Sequence, residues 1–347
     1  MTDTLRRATL TAVTGLGLCL TLLPAGQAFA QSPTTRVPCN NIPALKAAIA
    51  KANTSGGRIT LASRCTYNLT APDNADDGLP EITGNVTLTG RDTTIRRAPN
   101  ATQDFRILHV VSGGTLTLNS LRISGGSLAD DNGGGVANED GTLNLNRTTV
   151  RGNHAEMGGG LYNTGGKLNL DRSTAERNST DLWGAGVFNT GNGTMKMTGG
   201  ALRDNRALNN GGGLENITGT AYLHDVSVRG NTAIEGGGIR QTIGSTLRLR
   251  STEVRDNIAV SGGGISNNGS TATLVRSLVT RNTAITTGGG IINEADGQVT
   301  LTDSRVVRNR PDNCVPQGTI AGCSDPAGRT VPPAAKLPPA TDTKPLR

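Results

Sequence analysis

The chain has 347 residues, of which 48 are Gly and only seven are aromatic, and its formal net charge is +7. A globular α/β enzyme of this length needs a large core of rings and long aliphatic side chains, which this composition does not supply. The glycines follow no strict three-residue period, which excludes collagen, and the regular supply of Val, Ile and Leu argues against disorder. The composition therefore indicates a repetitive all-β protein with a thin aliphatic core.

The N-terminus has the pattern of a secretory signal peptide over residues 1–30. Arg6 and Arg7 form a basic region, residues 10–23 form an apolar segment, and Ala-Phe-Ala at its end is a small-x-small cleavage site. We therefore expect a secreted protein, extracellular or associated with a cell wall. No later stretch is apolar and long enough to span a bilayer, so no membrane span is expected.

Residues 31–57 are predicted to form an N-terminal cap. Asn41 and Pro43 are typical helix start signals, and apolar residues at helical spacing follow them. The pattern predicts a short amphipathic helix that covers the first turn of the repetitive region. Its buried face is expected to contain Leu45, Ala48, Ile49 and Ala52.

The strongest signal is a repeat of 25 to 27 residues. Each unit opens with a Gly triplet, or once with Gly-Ala-Gly, followed by one aliphatic residue. Such a fixed period is typical of solenoids and related arrays. The triplets begin at Gly133, Gly158, Gly184, Gly211, Gly236, Gly262 and Gly288.

Two rows of side-chain amides keep the same register. We interpret both as structural, because stacked amides can bond to one another along a solenoid axis. The first row contains Asn138, Asn163, Asn189, Asn216, Gln241, Asn267 and Asn293. The second contains Asn153, Asn178, Asn205, Asn231, Asn257, Asn282 and Asn309.

Each unit also holds three short apolar segments of period two, separated by turns. A propeller blade needs four strands and about 40 residues, whereas three strands in about 26 residues suit one coil of a parallel β-helix. With weaker copies upstream, we predict an all-β parallel β-helix solenoid of about ten three-strand coils over residues 58–310.

Four cysteines follow the signal peptide, and four cysteines allow three connectivities. Two precede the repeats and two follow them, so we predict the disulfides Cys39–Cys65 and Cys314–Cys323, one at each end. The second disulfide is expected to close a C-terminal cap over residues 311–325. The Pro-rich residues 326–347 are predicted to be a disordered tail.

From Cys39 to Cys323 the chain resembles the secreted right-handed parallel β-helix proteins of the pectin-lyase-like superfamily. The motif pair Gly-Gly-Gly-Ile and Val-Arg-Asp-Asn (Val254 to Asn257) is also similar to repeats of polymorphic outer-membrane proteins. Those repeats typically use Gly-Gly-Ala and Phe-x-x-Asn, whereas this chain has Gly and Val, Leu or Ala at those positions. The resemblance implies a right-handed solenoid and gives little information about activity.

Carbohydrate-active members of that superfamily bind polysaccharide along an outer strand face. The outward position after each Gly triplet places Tyr162, Phe188, Glu215 and Arg240 in successive coils, between Ala137 and the pair Ser266 and Ile292. Trp183 and Asp181 lie in the turn before Phe188. Rings suit sugar faces, so we predict that Tyr162, Trp183, Phe188 and Asp181 bind substrate. Glu215 and Arg240 are the candidate catalytic residues, or else a cross-strand ion pair.

One arginine recurs near the same corner of every coil, at intervals of 26 or 27 residues. This basic stripe could track an acidic polymer, with Glu176, Asp204 and Asp256 interleaved, or it could simply keep the surface soluble. Its members are Arg151, Arg177, Arg203, Arg229, Arg255, Arg281 and Arg308.

Catalytic signatures of the resembled hydrolases and lyases do not occur, and no cofactor or metal site is predicted. Nucleic acid is not expected as a partner, since no aromatic residues interleave with the basic ones. The leading hypothesis is a secreted, non-catalytic monomer that binds extracellular or cell-wall polysaccharide, including acidic polymers, or another surface. The alternative is a polysaccharide lyase or glycoside hydrolase that acts on an acidic polysaccharide along the outer strand face.

Overall fold

A computed structural model describes residues 34–325. Within them the chain is an all-β parallel β-solenoid of about 11 turns with one short helix, which confirms the predicted fold class. The signal peptide predicted for residues 1–30 and the tail predicted for residues 326–347 lie outside the described residues.

Three parallel sheets form the solenoid, with 19, nine and seven strands, and are called the large, nine-stranded and seven-stranded sheets below. The large sheet contains Thr34–Val37, Gly57–Leu61, Thr66–Leu69, Asn85–Arg97, Thr115–Ser124, Thr142–Asn146, Thr149–Arg151, Lys167–Asp171, Thr174–Glu176, Thr194–Thr198, Ala201–Arg203, Thr220–His224, Ser227–Arg229, Thr246–Arg250, Glu253–Arg255, Thr271–Val275, Leu278–Thr280, Gln298–Thr302 and Arg305–Val307. The nine-stranded sheet contains Leu108–Val110, Val136–Glu139, Leu161–Thr164, Val187–Thr190, Leu214–Ile217, Ile239–Thr242, Ile265–Asn268, Ile291–Glu294 and Cys314–Val315. The seven-stranded sheet contains Ser127–Asn132, His154–Met157, Ser179–Trp183, Arg206–Ala207, Thr232–Glu235, Ile258–Ser261 and Thr283–Thr287.

One turn of the regular region has four strands, not the three that the sequence predicts. The chain passes through Leu161–Thr164, Lys167–Asp171, Thr174–Glu176 and Ser179–Trp183 before the next turn begins. The last of these belongs to the seven-stranded sheet, whose strands usually bury a single small residue such as Ala233. One small buried residue produces no alternation of apolar side chains, so periodicity could not reveal this strand.

The core is narrow and mainly aliphatic, as the composition predicts. Leu143, Leu145 and Val150 and their equivalents in other turns are fully or almost fully buried and form one continuous cluster. The largest buried rings are Tyr67 and Phe105, and both lie in the irregular turns that precede the Gly triplets. In the regular turns the core cluster contains aliphatic side chains and the two methionines Met195 and Met197, and no ring.

Both amide rows are structural, as expected. In the second row, the side-chain Nδ2 of each Asn donates to the Oδ1 of the next at 2.9–3.1 Å, as from Asn153 to Asn178. In the first row, Asn163 donates to Asn189 at 2.6 Å and also to the carbonyl of Gly166 at 3.1 Å. The buried amides therefore bond to one another and to the turns beside them, except that Oδ1 of Asn138 and Oε1 of Gln241 form no hydrogen bond within the described residues.

The N-terminal end is covered by the predicted helix, which runs over Ile42–Ser55. The Asn41 side chain accepts a hydrogen bond from the Ala44 N–H at 3.0 Å, as an N-cap should. The four residues predicted for the apolar face are all buried. Both predicted disulfides, Cys39–Cys65 and Cys314–Cys323, are present, and Cys314 begins the last strand of the nine-stranded sheet.

Candidate functional site

The side chains that point away from the core on the nine-stranded sheet form a continuous line, which we call the outward column. The strands are in register, so each member lies directly beside the next at a spacing of about 4.8 Å. The column is His109, Ala137, Tyr162, Phe188, Glu215, Arg240, Ser266 and Ile292.

Although these side chains point outward, several of them are buried. Glu215 is fully buried and Phe188 is 3% exposed, yet neither belongs to the aliphatic core. The cause is the first Gly of each triplet, against which the side chain four residues later packs. At Gly211, whose φ is +65°, an added Cβ would lie 2.5 Å from the Cβ of Glu215. The left-handed backbone and this close approach both require glycine there.

Three of the predicted binding residues form an aromatic stack. The ring centroids of Tyr162 and Phe188 are 5.6 Å apart with an interplanar angle of 16°, and those of Trp183 and Phe188 are 6.2 Å apart at 29°. Phe188 is the buried middle ring, whereas Tyr162 and Trp183 are half-buried. The buried Nε1 of Trp183 has no hydrogen-bond partner among the described residues. The stack thus presents two partly open rings and one unsatisfied donor.

Asp181, the fourth predicted binding residue, is exposed and lies on the same strand of the seven-stranded sheet as Trp183. Its Oδ2 is 3.3 Å from Nε2 of His154, and Nδ1 of that histidine is 3.0 Å from Oγ of Ser179. This polar group shares the strand Ser179–Trp183 with the outer ring of the stack.

The two candidate catalytic residues form the ion pair that the sequence left as an alternative. Arg240 donates from Nη1 to Oε1 of Glu215 at 2.8 Å and from Nε to Oε2 of Glu235 at 2.9 Å. Burial raises the pKa of Glu215 to about 7 despite the opposing charge of Arg240. Its other oxygen, Oε2, is buried without a hydrogen bond. At this surface a polymer would meet Arg240 and the half-exposed Glu235, since Glu215 lies beneath them.

A second charged cluster lies at the N-terminal end of the column, roughly 19 Å from Glu215 at four strand spacings. Nδ1 of His109 is 3.5 Å from Oδ2 of Asp77, and its Nε2 is 3.6 Å from Oε2 of Glu139. The guanidinium of Arg106, which is 2% exposed, pairs with Asp77 at 3.1 Å and with Asp131.

The charges of this cluster support one another. Burial by itself would lower the pKa of His109, but the hydrogen bond and the charge of Asp77 outweigh it, so the pKa is raised. Burial by itself would raise the pKa of Asp77, but His109, Asn74 and Arg106 together lower it. The pair therefore favours a charged state in a largely buried position.

Sequence reasoning missed this cluster. Leu108-His109-Val110 aligns with Val136-Ala137-Asn138 one turn later, and that alignment would have placed His109 in the column. Asp77 lies in a non-repetitive segment with no strand pattern, so no sequence signal links it to His109.

The predicted basic stripe divides into two neighbouring columns, which corrects the expectation of one aligned row. Arg151, Arg203, Arg229 and Arg255 share one column, but Glu176 separates Arg151 from Arg203, and Thr280 follows Arg255. The remaining arginines, Arg177, Arg281 and Arg308, lie one position later, in turns with positive φ. Turn length varies from 25 to 27 residues, so an even interval of 26 does not keep register.

The acidic residues expected between these arginines are present. Glu176 pairs with Arg203 and, at 3.7 Å, with Arg151. Asp256 accepts from Arg281 at 2.8 Å and from Arg255 at 2.5 Å, and the hydrogen bonds from Arg281 are the largest cause that lowers its pKa to about 2. Within the described residues, ion pairs leave only three of the seven arginines without a carboxylate: Arg177, Arg229 and Arg308.

Comparison with known proteins finds no match: no family model fits the chain, and no curated protein or solved structure matches it. The parallel β-solenoid is therefore established by the structure, and the pectin-lyase-like resemblance remains a resemblance. Across residues 34–325, no helix is both long and apolar enough to cross a membrane.

Proposed function

We propose that this chain is an extracellular β-solenoid that binds a neutral polysaccharide along the outward column without turning it over. The observation that carries the proposal is the stack of Tyr162, Phe188 and Trp183, with its two partly open rings. Sugar rings bind to such surfaces through their apolar faces, and the flanking carboxylates and the Trp183 N–H can bond to hydroxyl groups.

The charges beside the stack favour neutral over acidic sugars. Arg106 and Arg240 each lie against two carboxylates, so neither guanidinium is free to pair with a uronate. The more open charged groups along the column are carboxylates, among them Glu139, Asp181 and Glu235. The basic stripe offers little to an acidic polymer, because ion pairs occupy four of its arginines.

Secretion forms part of the proposal, with support from the two disulfides and the predicted signal peptide. Both disulfides stabilise the ends of the solenoid, which is the arrangement expected for a protein that works in an oxidising compartment.

Affinity electrophoresis against neutral and uronate polysaccharides tests the binding. Retardation by a neutral polymer is expected, with affinity about tenfold lower in Tyr162→Ala and in Trp183→Ala, because each lost ring contact is worth about 1.4 kcal/mol. Tyr222→Ala is the matched control, since Tyr222 is a half-buried ring on the large sheet beneath Arg248. Equal loss in all three variants, or retardation by uronates alone, contradicts the proposal.

One observation favours an enzyme as the second candidate. A carboxyl group whose pKa is about 7 is suited to general acid–base catalysis at neutral pH, and Glu215 is such a group. Incubation with the same polymers decides between the two. New reducing ends or unsaturated products that disappear in Glu215→Gln would establish the enzyme, whereas binding without products supports the non-catalytic proposal.

A further inference from the structure

We propose that Asp77, Glu81 and His109 form a binding site for a divalent transition-metal ion such as Zn²⁺. The three residues meet at the N-terminal end of the outward column, where the chain before the Gly triplets is least regular. This site does not depend on the proposed polysaccharide binding.

The distances between the donor atoms fit such an ion. One ligand atom from each of the three residues lies within 4.8 Å of the others, and Nδ1 of His109 is 3.5 Å from Oδ2 of Asp77 and 4.0 Å from Oε1 of Glu81. Nitrogen and oxygen ligands of tetrahedral zinc lie about 2.0–2.2 Å from the metal and therefore about 3.4 Å from each other. The Glu81 side chain is 46% exposed and is free to close the remaining few tenths of an ångström.

Neighbouring side chains orient Asp77 and His109 in the way that metal ligands are usually oriented. Asp77 is 2% exposed, and its Oδ2 accepts a hydrogen bond from Nδ2 of Asn74 at 2.7 Å, which fixes the carboxylate. On the other side of the imidazole, Nε2 of His109 is a buried atom that forms no hydrogen bond within the described residues and faces Oε2 of Glu139 at 3.6 Å. Metal bound at Nδ1 leaves the proton on Nε2, from which it can be donated to Glu139. A carboxylate behind a ligating histidine is the usual outer-shell arrangement.

The net negative charge of the cluster also favours a bound cation. The cluster contains four carboxylates and one guanidinium. Asp77 and Asp131 pair with Arg106. Glu81 and Glu139 lie beside His109. With a neutral imidazole the cluster carries a net charge of −3, which a divalent ion would largely balance. A ligand set of one imidazole and two carboxylates suits zinc and similar ions, whereas calcium and magnesium prefer oxygen ligands alone.

The competing account is a protonated His109 that bridges the carboxylates without metal. Isothermal titration of the metal-free, untagged protein with Zn²⁺ alone separates the two accounts. We expect one ion per chain with a Kd below about 10 µM, and a parallel titration with Ca²⁺ should give much weaker binding. No stoichiometric uptake of Zn²⁺, or tighter binding of Ca²⁺, would overturn the metal site.

Variants locate the ion. Glu81→Gln changes an exposed side chain that folding does not need, and His109→Gln removes the nitrogen ligand. Each should weaken zinc binding by more than about a hundredfold, while Glu139→Gln should weaken it by about tenfold through the imidazole. His154→Gln is the matched control, because His154 also faces a carboxylate, Asp181, but belongs to the seven-stranded sheet. Unchanged binding in Glu81→Gln, or an equal loss in His154→Gln, contradicts the assignment.

Discussion

The amide ladders and the outward column run along the same solenoid, but their sequences behave in opposite ways. The ladders use Asn at nearly every turn, because a buried amide needs hydrogen-bond partners and the amide of the next turn supplies one at most positions. The column changes at every turn, from the ring of Tyr162 to the carboxyl of Glu215 and the guanidinium of Arg240. Repetition in this fold thus marks a structural requirement, and variation marks positions that can carry individual chemistry.

The largest effect is expected from breaking a ladder. The Oδ1 of Asn205 accepts from the backbone N–H and the side chain of Asn178, and its Nδ2 donates to Ala175 and Asn231. Asn205→Leu keeps the volume and leaves these buried groups unpaired, which should lower the free energy of unfolding by about 4 kcal/mol. Urea denaturation measures the loss.

The control for that variant is Asn268→Ala. Asn268 ends a strand of the nine-stranded sheet and belongs to neither ladder. It should cost less than about 1 kcal/mol. If both variants cost the same, the ladders are not the structural element that their repetition indicates.

The next largest effect concerns the ionisable residue buried in the column. The pKa of Glu215 is about 7 in the folded protein and 4.5 in an ordinary setting. Between these values the unfolded chain releases the proton while the folded chain keeps it, so stability falls as pH rises from 4.5 to 7 and then levels off. The fall should reach about 3 kcal/mol.

Glu215→Gln is neutral throughout and should lack this fall, so its advantage over the unmodified protein grows across the same pH window. Urea denaturation at pH 4.5, 5.5, 6.5 and 7.5 measures the difference. Glu235→Gln, which changes the half-exposed partner of Arg240, serves as the control. A difference between the Glu215→Gln variant and the unmodified protein that does not vary with pH would show that burial does not raise this pKa.

The smallest effect is expected on the arginine columns, which share the spacing of the ladders without their burial. The pKa of Asp256 is lowered to about 2, chiefly by hydrogen bonds from Arg281, so its stabilising contribution is present above pH 3.8 and is lost as pH falls towards 2. Because the group is more than a third exposed, Asp256→Asn should cost less than about 1 kcal/mol at neutral pH. Thermal unfolding in low salt and in 1 M salt checks this, since salt should remove most of the difference. A larger loss than in Asn205→Leu would reverse the order proposed for the two regions.

The sequence predicts the fold well because every turn restates the same signals. The Gly triplets and amide rows determine the strand register, and the positions of the cysteines around the repeats predict both disulfides. Register fails where spacing is taken as uniform: Arg177 and Arg203 are 26 residues apart, but Glu176 is the true neighbour of Arg203.

The site is predicted only in part, for physical reasons. The stack of Tyr162 and Phe188 follows from register, which the sequence contains. The burial of Glu215 depends on how closely Gly211 approaches it, and the meeting of Asp77 with His109 depends on the path of a non-repetitive segment. Neither is encoded in a periodic pattern.

The most direct test of the central claim, that the outward column binds a polysaccharide, uses the fluorescence of Trp183, the only tryptophan in the chain. Titration with a soluble neutral polysaccharide should change the emission saturably. Tyr162→Ala should move that change to polysaccharide concentrations about tenfold higher, and Tyr222→Ala should leave it intact. A polysaccharide that retards the protein in affinity electrophoresis but leaves the Trp183 emission unchanged would place the binding surface elsewhere and contradict the account.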